Sequence, residues 1–514
     1  MEKTVTLDSE LEHVSTMNLV ARSEQKGGFL LDVEGRNLSV KTSKDGHTIL
    51  IPQPSGDPSD PVSWSWTKKH RILFIVAWGS LTADFTSAAG VPCIFLQGAE
   101  WHMKPDQVSY ANNLNVLMMG IGGILWISFI SFWGRAPVIF WAVLIGTLFT
   151  IGAAVAPTYE IHYAMRALQG LFVTAPQTIS VAVIEDIFFF HERAHKIGLW
   201  ACIYISSPFL GPLLANFIVG ATNQWRPVFW MCVGVCGLQL IMILLFLDES
   251  YYNRRVPAEQ QPVRASRILR VLGIWQIRNH SGYFSTFRGA VGRLVAVITK
   301  PSLVLIAFAY FLTFMWSIGI NITTATLFAT PVEFGGYGYD SYGVGYLYFT
   351  PIVGTILGEI FGHWFNDFIA RQYTHRHKGF FVPEVRLNMT YISILFMVPG
   401  LVILGQALQR HLGVAAVIMG WGMFQFGIMT ESVAITSYAI DSFSAAPGEV
   451  AVFINFMRVI GGFSVGYFQQ PWGLAIGFDV SFGIQAAIVA FTLVPLGLAH
   501  RYGKVLRRKG IQIE

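Results

Sequence analysis

Five polar or charged side chains interrupt stretches of sequence that are otherwise apolar enough to lie in a membrane. They are Asp84, Arg166, Gln177, Asn321 and Glu431. Such groups are costly in lipid, so they usually face a bundle interior or a water-filled cavity. A carboxyl such as Asp84 or Glu431 can take up and release a proton when its exposure to water changes. The chemistry that these residues suggest is therefore ligand and proton exchange inside a membrane.

Each of these residues also has a purely structural interpretation. Asp84 can serve a structural hydrogen bond, and Glu431 shares its helix face with two glycines, which suits a carboxyl buried at a close helix contact. Arg166 lies near a helix end, from which its side chain can extend to the membrane surface. Gln177 and Asn321 can join neighbouring helices by hydrogen bonds. Spacing alone leaves both interpretations open.

Two tryptophans, Trp316 and Trp421, share apolar stretches with Asn321 and Glu431. Indole rings attract organic cations through cation–π contact, and buried carboxyls add charge pairing. This combination predicts a site for a cationic or amphipathic solute. The predicted substrate-binding residues are Asp84, Gln177, Asn321, Trp316, Trp421 and Glu431, and the predicted proton-coupling residues are Asp84, Arg166 and Glu431.

One enzyme motif occurs in the chain and is rejected. The run from His191 to His195 matches the H-E-x-x-H pattern of zinc proteases. That chemistry needs both histidines on a helix, a third ligand and a substrate cleft. This run instead follows three phenylalanines in a short loop between apolar stretches, and the chain has no phosphate-binding loop for ATP. We expect no enzyme activity, no metal and no cofactor.

The elements that carry these residues are membrane helices. Of the 514 residues, 53% are hydrophobic and only 13% are charged, whereas soluble proteins carry about 25% charged residues. The formal net charge of +5 arises from short loops, so no nucleic-acid partner is expected.

A membrane-crossing helix needs about 20 apolar residues, and the sequence contains twelve such runs. We number them spans 1 to 12, with predicted bounds 72–96, 112–133, 137–156, 162–187, 197–220, 227–247, 303–328, 342–365, 388–407, 413–438, 450–471 and 474–499. The five polar residues fall on spans 1, 4, 7 and 10. A polar face on every third span is what two related six-helix halves around a shared path require.

Charge divides the chain and orients it. A basic segment, 248–302, separates six spans at 72–247 from six at 303–499, and tails at 1–71 and 500–514 flank them. Loops on the side of the termini carry 24 Lys and Arg, and those on the opposite side carry 3. This asymmetry predicts that both termini lie in the cytosol.

Two local patterns give further expectations. Val263–Trp275 in the central segment has the composition of an amphipathic surface helix. Ladders of small residues on spans 8 and 11 predict packing between the two halves. The ladder glycines are Gly354, Gly358 and Gly362 on span 8 and Gly461, Gly462 and Gly466 on span 11, beside Glu359, His363 and Arg458, which are expected to stabilise or switch the same interface.

Motifs in a fixed order along the twelve spans resemble a known family. They are Asp57-Pro58 to Trp64-Ser65, Gly134-Arg135-Ala136-Pro137, Arg166 to Gly170, Gly211-Pro212, Trp225-Arg226, Pro383 to Leu387 and Tyr438 to Asp441. Over residues 57–509 the chain resembles the major facilitator superfamily. Within it, the chain is similar to the fungal twelve-span group of drug:proton antiporters and polyamine/histidinol-type carriers.

The resemblance implies two six-helix bundles that rock about a mid-membrane site. It implies that Gly134 and Arg135 help to latch an inner gate, that Arg166 assists proton coupling and that the Gly211-Pro212 motif is associated with antiport. Asp367 resembles the gate residue of the second half, although a solvated loop carboxylate fits it equally well.

Three positions depart from the family pattern. Ala136 stands where a second arginine is usual, and Ile130-Ser131-Phe132 stands where an acidic residue is usual. Ala215-Asn216 replaces glycines after Pro212. These departures concern the latch and the antiport motif and leave the fold unaffected.

We therefore expect an all-α integral membrane protein with the major facilitator fold. Its expected function is proton-coupled export of a drug-like molecule, a secondary metabolite or an amine. Proton-driven uptake of a polyamine or another organic cation is the alternative, and a transport-inactive sensor is a distant one. The expected partners are a small-molecule substrate, protons and the lipid bilayer. The protein is expected to be a monomer in the plasma membrane, with the vacuolar membrane as the alternative.

Overall fold

Helices make up almost all of the regular structure. The computed structural model describes residues 29–30, 50–254, 256–334, 336–377, 380–443 and 446–509. Within these ranges twelve helical segments are long and apolar enough to cross a membrane, which confirms the predicted all-α fold. Two short strands, Phe29–Leu30 and Phe380–Phe381, pair in antiparallel fashion. Most of the predicted amino-terminal tail and the last five residues lie outside the described residues.

The first six spans form one bundle. Span 1 comprises α1 (Trp66–Ala88) and α2 (Ile94–Trp101), span 2 is α3 (Pro105–Trp133), span 3 is α4 (Arg135–Ala154), span 4 comprises α5 (Tyr159–Val173) and α6 (Ala175–Ile187), span 5 lies in α7 (Phe190–Thr222), and span 6 is α8 (Arg226–Phe246). The side chain of Ser65 caps α1 by accepting from the backbone N–H of Lys68, as polar residues before a helix commonly do.

The central segment contains three short helices, and the second bundle follows. The central helices are α9 (Arg267–Val271), α10 (Ile274–Arg278) and α11 (Phe287–Ile298). Span 7 is α12 (Pro301–Ala329), span 8 comprises α13 (Ser341–Leu347) and α14 (Phe349–Arg376), span 9 contains α15 (Asn388–Gln409), span 10 is α16 (Val414–Ser442), span 11 is α17 (Pro447–Ile476), and span 12 comprises α18 (Phe478–Phe491) and α19 (Leu493–Arg508).

Several helices extend well past the apolar runs that predicted them. The helix of span 5 begins at Phe190, so the predicted loop before it is helical. The helix of span 8 continues to Arg376 and includes Asp367. Apolarity marks only the part of a helix that lies in lipid, whereas the backbone hydrogen bonds continue into the polar ends. Asp367 is therefore a helix residue rather than a loop residue.

The glycine ladders do not both join the halves. Gly358 of span 8 faces the backbone of Phe426 in span 10, within the second bundle. Gly461 of span 11 faces Phe311 of span 7, also within that bundle. Only Gly466 reaches the other half, against Asn113 of span 2. The prediction for the span 8 ladder was wrong because a close-packing face on a helix does not specify which neighbour it meets.

The two bundles meet along two pairs of spans. Span 2 packs on span 11, where Gly120 faces Val459. Span 5 packs on span 8, where Gly198 faces the imidazole of His363. His363 also bonds Glu359 one turn earlier at 3.0 Å, so this pair does lie at the predicted interface.

The amphipathic helix of the central segment is α11 rather than the predicted Val263–Trp275. Gly273, with φ +88°, breaks the predicted stretch into α9 and α10, because a left-handed residue cannot continue a helix. Helix α11 contacts both halves. Its Arg293 donates to Ser131 of span 2 at 3.1 Å and pairs with Glu449 of span 11 at 2.8 Å.

Asp248 fastens the start of the central segment to the first bundle. Its carboxylate pairs with Lys68 at 2.6 Å and with Arg270 at 2.7 Å. Burial raises the pKa of Asp248, but these two cations outweigh it and hold the pKa below its usual 3.8. The carboxylate is therefore charged throughout the physiological range.

A close approach between spans 1 and 5 gives the first prediction. A Cβ at Gly211 would lie 2.4 Å from the carbonyl oxygen of Phe85, whereas one at Gly234 would meet nothing within 4 Å. We expect Gly211→Ala to destabilise the protein by about 1–3 kcal/mol, the usual cost of overpacking, and Gly234→Ala to leave it unchanged. Thermal unfolding of the purified protein measures both. Equal melting temperatures would contradict the close approach.

The pairing of Asp248 gives a prediction on pH. Because its folded pKa is depressed, its stabilising effect is complete above the unfolded pKa and is lost as the pH falls through the folded pKa. We expect Asp248→Asn to lower the melting temperature at pH 7, and the difference from wild type to shrink as the pH falls below about 4. Melting curves across pH 3–7 measure it. A difference that grows in acid would contradict the pairing.

Candidate functional site

An ion pair joins the two bundles near the middle of the membrane. Arg458 of span 11 donates through Nη2 to Oδ2 of Asp84 in span 1, at 3.3 Å. Gln177 of span 4 donates through Nε2 to the same oxygen, at 2.9 Å. All three side chains are buried. Each charge offsets the cost of burying the other, so the pair is a reason for the halves to meet here.

One small cavity lies on each side of this pair. The distal cavity, away from the chain termini, has a volume of about 60 Å³, and its lining includes Asp84, Asn112, Phe209, Phe314, Asn321 and Arg458. The proximal cavity, nearer the termini, has about 40 Å³, and its lining includes Gln177, Trp200, Tyr204, Tyr310, Asn455 and Arg458.

Arg458 borders both cavities and separates them. Ligand sites for drug-sized molecules usually occupy about 300–1,000 Å³, and a water molecule occupies about 30 Å³ of the liquid. Each cavity therefore holds one or two waters and no organic solute. The structure is a contracted state in which the path is closed on both sides of the ion pair.

Asn321 bonds a carbonyl that a proline releases. Pro212 lacks an N–H, so the carbonyl of Pro208 one turn earlier has no partner within the helix. Asn321 of span 7 donates to that carbonyl through Nδ2 at 2.9 Å, and its Oδ1 accepts from the hydroxyl of Tyr348 at 3.2 Å. Asn321 thus both lines the distal cavity and ties the halves together. Gly211 supplies the close contact with span 1 described above.

Arg166 is turned into the bundle and does not reach the membrane surface. Its guanidinium donates to the carbonyls of Thr86 at 2.9 Å and Ser87 at 2.5 Å. It also donates to Oδ1 of Asn112 at 2.9 Å and to Oε1 of Gln169 at 2.6 Å. All four acceptors are neutral. The arginine therefore fixes the distal ends of spans 1, 2 and 4 relative to one another and leaves a positive charge behind the cavity wall.

Glu431 is fully buried in span 10 but lines neither cavity. Neither carboxyl oxygen has a hydrogen-bond partner among the described residues, and Thr313 of span 7 is the polar side chain that approaches it. The glycines on its face, Gly420 and Gly427, pack closely against span 9. Glu431 therefore shares its face with a close helix contact, and its carboxyl also faces the interior of the second bundle.

The two predicted tryptophans lie away from the ion pair. Trp316 packs against Phe468 and Trp472 of span 11, and Trp421 packs against Tyr348 of span 8. Neither lines either cavity. Both side chains are fully buried, at 1% and 0% exposed, but they pack on rings away from the ion pair, so their predicted contact with the substrate has no geometric support.

The Gly134-Arg135 turn is held by two acidic residues that are distant in sequence. Arg135 pairs through Nε with Asp186 at 2.9 Å, at the end of span 4. Glu249 accepts from the backbone N–H groups of Arg135 at 3.1 Å and Ala136 at 3.3 Å, at the start of span 3. A carboxylate at a helix start meets free N–H groups and the positive end of the helix dipole. The turn thus has two acidic partners outside its own motif.

A related arrangement occurs in the second half. Arg386, before the helix of span 9, pairs with Asp441 at the end of span 10 at 2.5 Å and with Asp367 at 3.5 Å. Asp367 is partly exposed and so is the weaker partner. Both the Arg135 pair and the Arg386 pair lie within a single bundle.

The H-E-x-x-H run lies at the start of the helix of span 5 rather than in the expected loop. His195 is exposed, and the side chain of His191 lies outside the described residues. Among the residues that the structure describes, no group of three His, Cys, Asp or Glu side chains could hold a metal ion.

Three residues of the site were missed or underrated from sequence: Arg458, Asn112 and Glu249. An arginine inside an apolar run was itself a signal of function, but the glycines beside Arg458 suggested only packing. The expectation that it stabilises the interface was sound, since it pairs across it. Asn112 lay at the predicted edge of a span, and Glu249 lay in a segment treated as a linker.

A family model decides the identity of the chain. The model described as Major Facilitator Superfamily matches residues 73–466. The chain belongs to the Major Facilitator Superfamily. This confirms the family resemblance and shows a secondary transporter of small organic solutes rather than an enzyme.

Fungal transporters of this superfamily are among the similar proteins. The multidrug transporter mdrA of Aspergillus fumigatus is 25% identical over 482 residues, covering 91% of this chain and 76% of that protein. The efflux pump FUB11 of Gibberella fujikuroi is 27% identical over 414 residues, covering 77% and 68%. The MFS-type efflux pump MFS2 of Trichophyton rubrum is 25% identical over 474 residues, covering 90% and 76%.

Solved structures of the superfamily share the fold. The proton:xylose symporter XylE, bound to 6-bromo-6-deoxy-D-glucose, matches with a TM-score of 0.63 and 13% identity, covering 85% of this chain and 96% of that chain. The human organic anion transporter MFSD10 matches with a TM-score of 0.55 and 15% identity, covering 83% and 99%. At these identities the likeness concerns the fold alone.

The central pair gives a prediction on stability. We expect Asp84→Asn and Arg458→Gln each to destabilise the protein, by up to about 3–5 kcal/mol, because each leaves one buried charge unpaired. The double variant should lose less than the sum of the two. Thermal unfolding of all three variants measures the coupling.

A matched cycle uses the exposed pair of Glu100 and Arg226, whose atoms lie 2.7 Å apart. We expect its coupling to stay below about 1 kcal/mol. Additive effects of the Asp84 and Arg458 substitutions would contradict a shared buried pair.

Proposed function

We propose that this superfamily member exports a small organic solute in exchange for protons, with Asp84 as the proton-binding group. The observation that carries the proposal is the Asp84–Arg458 pair, which joins the two halves between two closed cavities. A proton on Asp84 neutralises it and removes its attraction to Arg458. The barrier to separating the halves then falls, so proton binding is coupled to the opening of the path.

The remaining predicted residues have supporting roles in this proposal. Gln177 stays hydrogen-bonded to Asp84 after protonation, because its amide can bond both the charged and the neutral carboxyl. Arg166 keeps spans 1, 2 and 4 in register around the distal cavity. Glu431, a fully buried carboxyl that Thr313 approaches, is a further candidate for a proton. The Arg135 and Arg386 networks stiffen the inner ends of the two bundles, 72–247 and 303–499, which move as units.

The relatives and the loop charges support the remaining assignments. Export is favoured over uptake because the similar proteins include a multidrug transporter and efflux pumps. Uptake of an organic cation is less favoured, since Asp84 already has a cationic partner. The excess of Lys and Arg on the side of the termini supports cytosolic termini, and the plasma membrane is the membrane we propose. A monomer suffices, because the path lies within one chain.

Vesicles with a pH gradient test the coupling. Three probes share one naphthalene ring and differ in charge: 2-naphthoate, 2-naphthamide and 2-naphthylmethylammonium. The purified full-length protein is reconstituted with the membrane potential clamped by potassium and valinomycin. We expect the transported probe to accumulate in vesicles with an acid lumen, up to about tenfold per pH unit for one-for-one exchange.

Substitution of Asp84 separates coupling from transport. In Asp84→Asn we expect accumulation to ignore the pH gradient, while exchange of labelled for unlabelled probe continues. Asp106→Asn, at an exposed carboxyl, should behave as wild type. Accumulation that ignores the gradient in wild type as well would show that proton coupling is wrong.

A further inference from the structure

Arg458 has binding capacity that its partner does not use. Its side chain is 3% exposed, and a guanidinium carries five N–H donors. The bond to Asp84 is long, at 3.3 Å, and Nε has no partner among the described residues. Burial of an unpaired donor is costly. A buried donor beside a cavity is therefore positioned for an acceptor that arrives from elsewhere.

The surroundings of Arg458 favour a flat ligand. The rings of Phe314 and Tyr204 lie 5.1 Å and 5.5 Å from its guanidinium carbon, which is within the range of cation–π attraction. Phe314 and Phe209 also line the distal cavity, and Ser317 adds a hydroxyl. The arginine thus borders a cavity in which these rings lie beside polar groups that include Asn112 and Asn321.

The charge balance of the distal cavity is positive. Asp84 and Arg458 are the charged residues in its lining, and their charges cancel. Asn112, also in the lining, is held by Arg166 behind it. All the hydrogen bonds of Arg166 go to neutral acceptors. Two arginines and one carboxylate leave a surplus of one positive charge, which a monoanion would neutralise.

We propose that the distal cavity binds an organic monoanion, a carboxylate on an aromatic or similarly flat body, with Arg458 as its anchor. Two parallel N–H bonds from a guanidinium fit a carboxylate closely. The ring of the solute lies against Phe314 and Phe209, and the cavity widens as the halves separate. This inference rests on the proposed transport function and names its substrate class. It replaces the cationic solute expected from the carboxyls and tryptophans.

Asp84 and the solute compete for Arg458, because a buried cation holds one carboxylate at a time. In the closed structure Asp84 holds that position. When the solute carboxylate takes it, Asp84 stays bonded to Gln177. Release of the solute returns Asp84 to the guanidinium.

Binding of the three naphthalene probes to the purified full-length protein, measured by isothermal titration, tests the proposal. In wild type we expect 2-naphthoate to bind at least about tenfold more tightly than 2-naphthamide, a preference of about 1.4 kcal/mol. Asp84→Asn should tighten binding of 2-naphthoate about tenfold further, because the competitor is gone.

The double variant Asp84→Asn with Arg458→Gln is a control for misfolding. It removes both charges of the pair, so no buried charge is left unpaired. We expect it to bind 2-naphthamide as wild type does and to lose the preference for 2-naphthoate. Arg226→Gln, which removes an exposed arginine, should retain the preference. A preference for the ammonium probe, an unchanged preference in the double variant, or binding of none of the three probes would overturn the anion site.

Failure of this proposal and failure of the transport proposal are distinguishable. Preferred binding of 2-naphthoate without gradient-driven accumulation supports the anion site and rejects the coupled transport. Gradient-driven accumulation of 2-naphthamide or the ammonium probe, with no preference for 2-naphthoate, supports the transport and overturns the anion site.

Discussion

The cost of holding a charge inside a membrane governs the centre of this protein. A carboxylate or a guanidinium there must find a partner or a wet cavity, and Asp84 and Arg458 meet that need in each other. Because one lies in the first span and the other in the eleventh, satisfying the charges also brings the bundles together. Any event that neutralises Asp84, or offers Arg458 another anion, changes how strongly the halves adhere. Stability thus depends on the same contact as the transport cycle proposed above.

Much of the fold followed from the sequence because membrane helices obey simple rules. The length of an apolar run and the periodicity of polar residues are local properties, so the twelve spans and the polar faces of spans 1, 4 and 7 could be predicted. Asp84, Gln177 and Asn321 do line the cavities. Helix ends could not be placed, since the helix of span 5 begins at Phe190 and that of span 8 ends at Arg376, well outside the apolar runs that predicted them.

Contacts between residues on different helices could not be predicted from the sequence. The face of a helix that carries Gly358 or Trp316 can be read from spacing, but the neighbour it meets depends on the packing of all twelve spans. The same limit hid the pairing of Asp84 with Arg458, separated by 374 positions. It also hid Asp186 and Glu249, which hold the Gly134-Arg135 turn although the expected nearby acid is absent. The acidic partners of this turn thus lie outside the motif itself.

The distribution of ion pairs indicates how the halves could separate at little cost. Among the pairs between described residues, those of Arg135 with Asp186 and Arg386 with Asp441 lie within single bundles and survive a rigid-body movement. Two others restrain that movement: the central Asp84–Arg458 pair, and the pair of Arg293 in the central segment with Glu449. Arg293 is over one-third exposed, so its pair contributes about 1 kcal/mol or less. The buried central pair is therefore the larger barrier, and a proton on Asp84 or an anion on Arg458 acts where that barrier lies.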